Sequence, residues 1–495
     1  MGVRSPYAWL TFLAPGVRYM RAGLAVLLLA LACGGNSPAG VDIGCGGSPT
    51  ILCPGDTLAA KVSAAPEGTA FRLRSGIYRL EQIIPKSGQT FTGEPGAILS
   101  GARLLNDWSQ EGSYWVHAGQ TQEGEVRLAS SCQAAYPACA YPEDLFIDDS
   151  LLQRVPSLGE VTTGKWYFDY PTDKVYMADV PTGRRVEISV LPWAIYSDAS
   201  NVTIEHITIE KYASPAQRGA IGYSGVGSGW TVRSNEVRWN HGVGIRVASG
   251  MQVLNNFVHH QGQLGIGGSG KDVLVEGNEI AFNNTAGFGA GSQSEAGGTK
   301  FVATDGLVVR GNYSHHNHGP GLWTDIDNIN SLLEDNTVED NDWRGIFHEI
   351  SYACVIRNNT VRRNGFHLPP ETPSFALEGA GILVSNGTDV EIYGNTVEDN
   401  QNGIGAIESD RGAGTHGPYQ VLNLWVHDNT IRQTTGRAAG IVGTGPVFTS
   451  KQNRFTDNHY ALGDTTLKQF RWQNADRTDV EWRGFGQDVG GTFTR

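Results

Sequence analysis

Val309-Arg310-Gly311-Asn312-Tyr313-Ser314-His315-His316-Asn317-His318-Gly319-Pro320-Gly321-Leu322 is echoed 24 residues later by Leu333-Glu334-Asp335-Asn336-Thr337-Val338-Glu339-Asp340-Asn341-Asp342-Trp343-Arg344-Gly345-Ile346. Each copy reads apolar-x-x-Asn, a second Asn five residues on, then Gly and an apolar residue. The phrase also occurs at Val232 to Asn235 with Asn240, and at Val275 to Asn278 with Asn283. It continues at Ile356 to Asn359 with Asn364 and at Ile392 to Asn395 with Asn400; weaker copies centre on Asn256, Asn429 and Asn453.

The first Asn recurs after 21, 22, 34, 24, 23, 36, 34 and 24 residues. A period in the low twenties is one coil of a parallel β-helix. The three long intervals each hold an insertion, placed near Ser292–Asp305, His367–Gly379 and Ser409–Tyr419, where Gly, Pro, Ser and Thr mark loops. Short β-branched runs that alternate with polar residues supply the strands. The Asn is expected to take αL geometry and to bond to the Asn above and below it. Leucine-rich repeats need dense Leu and a helical half-repeat, which are missing; propeller blades need about twice this period.

Composition agrees. The chain of 495 residues has 65 Gly, few charged residues and a formal net charge of −13. Such a mix excludes coiled coils and helical bundles, and offers no basic stripe for nucleic acid. Arg4, Arg18 and Arg21 precede an uncharged run, Ala22 to Ala32, too short to span a bilayer. The run ends Leu29-Ala30-Leu31-Ala32-Cys33-Gly34-Gly35, which resembles a bacterial lipobox. That resemblance implies export, lipidation at Cys33 and anchoring in the bacterial cell envelope. Export permits disulfides, and the close pairs Cys45/Cys53 and Cys132/Cys139 are the expected ones. Cys354 aligns with Trp230, Val273, Leu307 and Val390, so it is expected to be a buried, inert thiol.

Upstream, Gly76-Ile77-Tyr78 and Gly93-Glu94-Pro95-Gly96-Ala97 resemble the opening turns of pectin-lyase-like proteins, which are right-handed parallel β-helices. Between Ala102 and Pro192 the period vanishes, and Trp166-Tyr167-Phe168-Asp169 with Lys174-Val175-Tyr176 predict a hairpin. The expected division is a signal peptide at 1–32, a linker at 33–55 and first coils at 56–101. A β-rich inserted subdomain follows at 102–195, then β-helix repeats at 196–463 and a C-terminal cap at 464–495.

Aligned on the Gly after the second Asn, the strands read Gly244-Ile245-Arg246-Val247-Ala248, Gly265-Ile266-Gly267-Gly268-Ser269 and Gly287-Phe288-Gly289-Ala290-Gly291. Next come Gly321-Leu322-Trp323-Thr324-Asp325, Gly345-Ile346-Phe347-His348-Glu349 and Gly381-Ile382-Leu383-Val384-Ser385. The second column is apolar and faces the core, so the third and fifth columns face outward. Trp323 and Phe347 then share the outer face, and Asp325 stands one coil from Glu349, roughly 5 Å away. Carboxylates that close cannot both ionise cheaply, so one pKa rises. A raised acid beside an ionised carboxylate, at about 5 Å, is the pairing of a retaining glycoside hydrolase. Glu408 and Asp410, a repeat further on, extend the cleft. His348 falls on an inward column and reads as a core residue.

The segments Gly321-Leu322-Trp323-Thr324-Asp325 and Ile346-Phe347-His348-Glu349 resemble the two active-site segments of β-helical glycoside hydrolases of the β-xylosidase type. The resemblance implies Asp325 as nucleophile and Glu349 as acid/base. After the Glu those relatives continue with Asn-His, whereas this chain has Ile350-Ser351-Tyr352. The expected function is a retaining hydrolase acting on polysaccharide or oligosaccharide without a cofactor. Trp323 and Phe347 are expected as open sugar platforms, with Asp327 and His316 as further substrate contacts; His315, His316 and His318 otherwise read as turn residues. One alternative is a Ca2+-dependent polysaccharide lyase or epimerase on polyuronates. It would use Asp325, Asp327 and Glu349 as ligands, and Arg344, Arg246 or Arg411 as base. Another is a non-catalytic glycan-binding solenoid.

Overall fold

A computed structural model describes residues 50–289, 295–368, 376–464 and 466–494. The signal segment, Cys33 and Cys45 lie outside the described residues. Among the described residues three long sheets run side by side: face I and face II have 13 strands each and face III has 11. Successive coils pair in parallel, as Val275 with Val309 and Val309 with Leu333 on face I. All three of these side chains are buried, and each contributes about 1.5–3 kcal/mol by leaving water. The inward residues form one cluster along the coils, from Leu52 to Trp482. Cys354 sits in it with Trp230, Val273, Leu307 and Val390, and burial pushes its thiol pKa up.

The turn between faces I and II is held by a continuous amide ladder. The backbone N–H and Nδ2 of Asn278 both donate to Asn312 Oδ1, at 2.9 and 3.0 Å, and Asn312 donates likewise to Asn336. The ladder runs from Asn235 to Asn458, where Asp488 accepts the last pair of bonds. Its ninth Asn is thus Asn458, whereas the repeat phrase pointed to Asn453; the Asn453 amide instead accepts from Leu424 N–H. The αL conformation also falls elsewhere. It belongs to the residue before each ladder Asn, among them Ser234, Gly277, Gly311 and Asp335. A parallel ladder through Asn240, Gln261, Asn283, Asn317, Asn341, Asn364 and Asn400 closes the turn into face III.

Strand Ile51–Leu52 already pairs with Ala70–Leu73, so the first coil begins inside the segment expected as linker. Helix Leu58–Ala64 covers that end of the core with Leu58 and Val62. At the other end strands Phe470–Trp472 and Thr492–Thr494 still pair with faces III and II, beyond the expected end of the repeats. Helix Asp479–Gly484, with Thr478 and Glu481 forming a capping box, sets Trp482 over the last coil. The excursion is an eight-stranded sheet from Ala102–Leu104 to Val186–Ser189, in which Lys165–Asp169 and Lys174–Met177 form an antiparallel pair. Lys211 of the solenoid ties it down, 2.5 Å from Glu187. Cys132 and Cys139 form a disulfide.

Candidate functional site

Face III carries the two carboxylates. Strand Leu322–Asp325 lies beside Ile346–Glu349 in register, with Asp325 directly opposite Glu349 and Trp323 opposite Phe347. The inward Leu322 and Ile346 anchor both strands in the core. Thr324 and His348 also point inward and bond at 2.8 Å; burial pushes the His348 pKa down to about 4.

Strand Gly297–Asp305 precedes them, and it brings a residue the sequence alignment missed. Lys300 Nζ lies 2.9 Å from Asp325 Oδ2 and 3.1 Å from Glu295 Oε1. The strand was expected at Gly287–Gly291 with an insertion at Ser292–Asp305. Instead Gly298-Thr299-Lys300-Phe301-Val302 occupies that coil, and Thr299, at the core position, bonds to Trp323 N–H. A polar residue in an otherwise apolar column hid the strand.

Asp325 is 5 % exposed, and its Oδ1 is buried with no hydrogen-bond partner among the described residues. Burial, opposed by Lys300 and reinforced by Glu349, pushes its pKa up to about 6. The Lys300 ammonium is also shifted up: burial opposes its charge, but Asp325 and Glu295 outweigh it. The pair thus favours both charges, while burial and the second carboxylate take back more from Asp325 than Lys300 returns. Glu349 is more open and accepts from Arg411 at 2.7 Å. Arg411 comes from the Ser409–Tyr419 insertion, which therefore walls the site.

Three expectations need correction. Trp323 and Phe347 do face outward, and they stack at 5.5 Å, but each is only 3 % exposed. Leu377, Leu383 and Ile407 cover them, and cations cap the rings, Lys300 at 4.2 Å from Trp323 and Arg344 at 4.3 Å from Phe347. They build the floor of the site and are not open platforms. Asp327 is taken up by the insertion: it accepts from Thr415 N–H, Thr415 Oγ1 and Tyr419 OH at 2.7–3.0 Å. Despite partial burial, those bonds lower its pKa. His316 is the αL residue of a turn after face II, packed on Phe282; it lines a separate groove with His318, Asp342 and Phe366. Among the described residues no group of three His, Cys, Asp or Glu could hold a metal ion. Asp325, Asp327 and Glu349 are engaged by Lys300, Tyr419 and Arg411 respectively.

Residues 219–397 match the family model described as right handed beta helix region. The chain matches none of the curated proteins. Among solved structures it is similar to XylC in complex with xylose, at 14 % identity and a TM-score of 0.67, over 88 % of this chain and 82 % of that one. It is also similar to the A-module of the mannuronan C-5 epimerase AlgE6 from Azotobacter vinelandii, at 14 % identity and a TM-score of 0.48, over 88 % and 93 %. At such an identity the likeness to XylC shows the fold alone, a right-handed β-helix, in agreement with the family model.

Proposed function

We propose that this right-handed β-helix is a retaining glycoside hydrolase in which Asp325 and Glu349 are the two working carboxylates. The observation that carries the reading is their register: opposite residues of adjacent parallel strands, about 4.8 Å apart by strand spacing. A separation near 5 Å suits a covalent glycosyl-enzyme route, whereas an inverting pair needs room for a water between the groups. Asp325 acts as nucleophile. Lys300 holds its Oδ2, and Oδ1, buried and without a partner among the described residues, is the atom that attacks an anomeric carbon once substrate opens the site. Glu349, nearer solvent, protonates the leaving oxygen and then activates water. For that it must exchange its bond with Arg411 for one to the substrate.

A second assignment has its own support. A buried carboxyl with a raised pKa is the usual profile of the acid, and an ion-paired one that of the nucleophile. Asp325 is buried with a raised pKa and Glu349 is ion-paired with Arg411, which is the observation that favours exchanged roles. The likeness to XylC, solved with xylose, makes aryl xylosides the first substrates to test. A panel of aryl glycosides is offered to the parent, Asp325→Ala and Glu349→Ala, with and without chelator. Chelator-resistant release that Asp325→Ala abolishes, and that Glu349→Ala lowers most on poor leaving groups, supports the reading. Silence across the panel, with calcium-dependent cleavage of polyuronates to unsaturated products, overturns it in favour of a lyase. Retained glycan affinity without turnover overturns it in favour of a binding solenoid.

Export and lipidation at Cys33 belong to the same proposal, on the strength of the lipobox resemblance. Palmitate labelling of cells that is lost in Cys33→Ser tests it.

A further inference from the structure

Beside the carboxylate pair, on the side of the earlier coils, face III holds a cavity of about 340 Å³. Lys300, Val302 and Ile326 wall it toward Asp325, and Arg127, Arg218 and Arg246 wall it on the far side. The strand register makes the space. Arg246, Gly267 and Lys300 follow one another in successive coils, so the middle coil places no side chain between the two cations.

The charges in this cavity are not balanced. Lys300 is paired with Asp325 and Glu295, and Arg127 with Glu125. Among the described residues Arg218 and Arg246 have no carboxylate in ion-pair distance. Arg218 Nε is buried with no hydrogen-bond partner, and its guanidinium lies 5.5 Å from the Tyr223 ring centroid. Arg246 gives one bond, 2.8 Å, to Gln217 O. Burial, with Arg218 and Arg127 nearby and only Glu295 opposing them, holds the Arg246 guanidinium below its usual range. Glu295 also lines the cavity, but its carboxylate is engaged by Lys300 and Gln217, so two half-buried guanidinium groups face the space without an ion pair of their own among the described residues. Planar forks of N–H donors suit a carboxylate.

We propose that Arg218 and Arg246 form a subsite for the carboxylate of a uronic-acid residue, in a sugar unit next to the one attacked at Asp325 and Glu349. The position of the cleaved bond rests on the hydrolase reading; the anion site does not.

The test is calorimetric titration of the full chain carrying Glu349→Gln, with oligogalacturonate and oligoglucuronate and with the methyl esters of each. At least one acid form is expected to bind about tenfold or more tighter than its ester, with a preference that shrinks as salt rises. Adding Arg218→Gln or Arg246→Gln should bring the preference to within about twofold, and Arg246→Lys should recover only part of it. Thermal melting checks that each variant folds, and either single Arg variant suffices if the other does not. Equal binding of acids and esters, a preference that survives both substitutions, or binding of none overturns the subsite. So does a sulfated neutral oligosaccharide that binds where the uronates fail. Aryl glycosides hydrolysed without any acid preference leave the hydrolase standing and remove the subsite. An Arg-dependent preference in a chain that hydrolyses nothing does the reverse.

Discussion

Lys300 and Asp325 form an ion pair 2.9 Å long in which each side chain is only 7 % exposed. Removing one member of a buried pair strands the other charge and costs about 3–5 kcal/mol. Lys300→Met is therefore expected to lower the unfolding midpoint by several degrees. It also withdraws the cation that opposes protonation of Asp325, so the Asp325 pKa rises further. The check is a pH profile of kcat/KM beside the melting curve. A variant with the parent's profile would show that Lys300 does not act on Asp325.

The raised pKa of Asp325 has a stability consequence with a definite sign. Its carboxyl ionises near pH 4 when unfolded and near 6 when folded. The folded state therefore holds the proton more tightly, and this contribution is fully present below about pH 4. It is lost as pH rises to 6, by an amount on the order of 3 kcal/mol. Asp325→Asn should remove that slope. Urea unfolding of parent and variant at pH 4, 5, 6 and 7 measures it: the parent's advantage over the variant should shrink across the series.

The same value separates the two catalytic assignments. As nucleophile, Asp325 must be ionised, and kcat/KM should climb as pH passes about 6. As general acid it must be protonated, and kcat/KM should fall there. The parent's profile reads that limb, and Glu349→Gln on an aryl glycoside with a good leaving group, which needs little acid assistance, checks it: turnover is expected with a limb shifted below 6, because Glu349 helps to raise the Asp325 pKa. A limb that falls near 6 in the parent, with no turnover in Glu349→Gln, would exchange the roles.

The solenoid was legible because repetition averages out local ambiguity. The Asn and Gly phrases recur often enough that a polar residue in one copy does not hide the pattern. The facing of Asp325 and Glu349 followed from period 2 and a fixed Gly start. Lys300 was not legible because one copy failed: Gly287-Phe288-Gly289 imitates a strand start, while the true strand places Thr299 at the core position. The cover over Trp323 was not legible either. Leu377 arrives from a long insertion whose path no periodicity dictates. Arg411 and the Asp327 clasp share that cause, since they join residues 62 and 88 positions apart.

The amide ladder can be tested in one rung. Asn312 accepts two bonds from Asn278, and its Nδ2 donates to Asn336 Oδ1 and Val275 O. Asn312→Ala takes the acceptor from the Asn278 N–H and one donor each from Val275 O and from Asn336 Oδ1, which keeps the Asn312 N–H; a buried group left unpaired costs about 1–3 kcal/mol before relaxation. A loss of roughly 2–4 kcal/mol in urea unfolding is expected. Asn312→Asp keeps the acceptor and loses the donors, so it should cost less than Ala if the accepting half dominates. A loss below about 0.5 kcal/mol for Ala would mean that stacking of the coils, and not the ladder, holds this turn.

The decisive test of roles uses azide as a stand-in for each missing carboxylate. With Asp325→Ala, azide can enter from the nucleophile's side of the sugar and displace the leaving group once, so the glycosyl azide has inverted configuration. With Glu349→Ala, Asp325 still forms the covalent intermediate when the leaving group is good. Azide then attacks from the vacated acid/base side, and two displacements leave the configuration retained. General acid-base loss alone is expected to lower kcat by about 10²–10⁴-fold on poor leaving groups and far less on good ones. NMR of the two azide products reads the outcome. The opposite pair of configurations would make Glu349 the nucleophile, and its ion pair with Arg411 would then be what keeps that nucleophile charged.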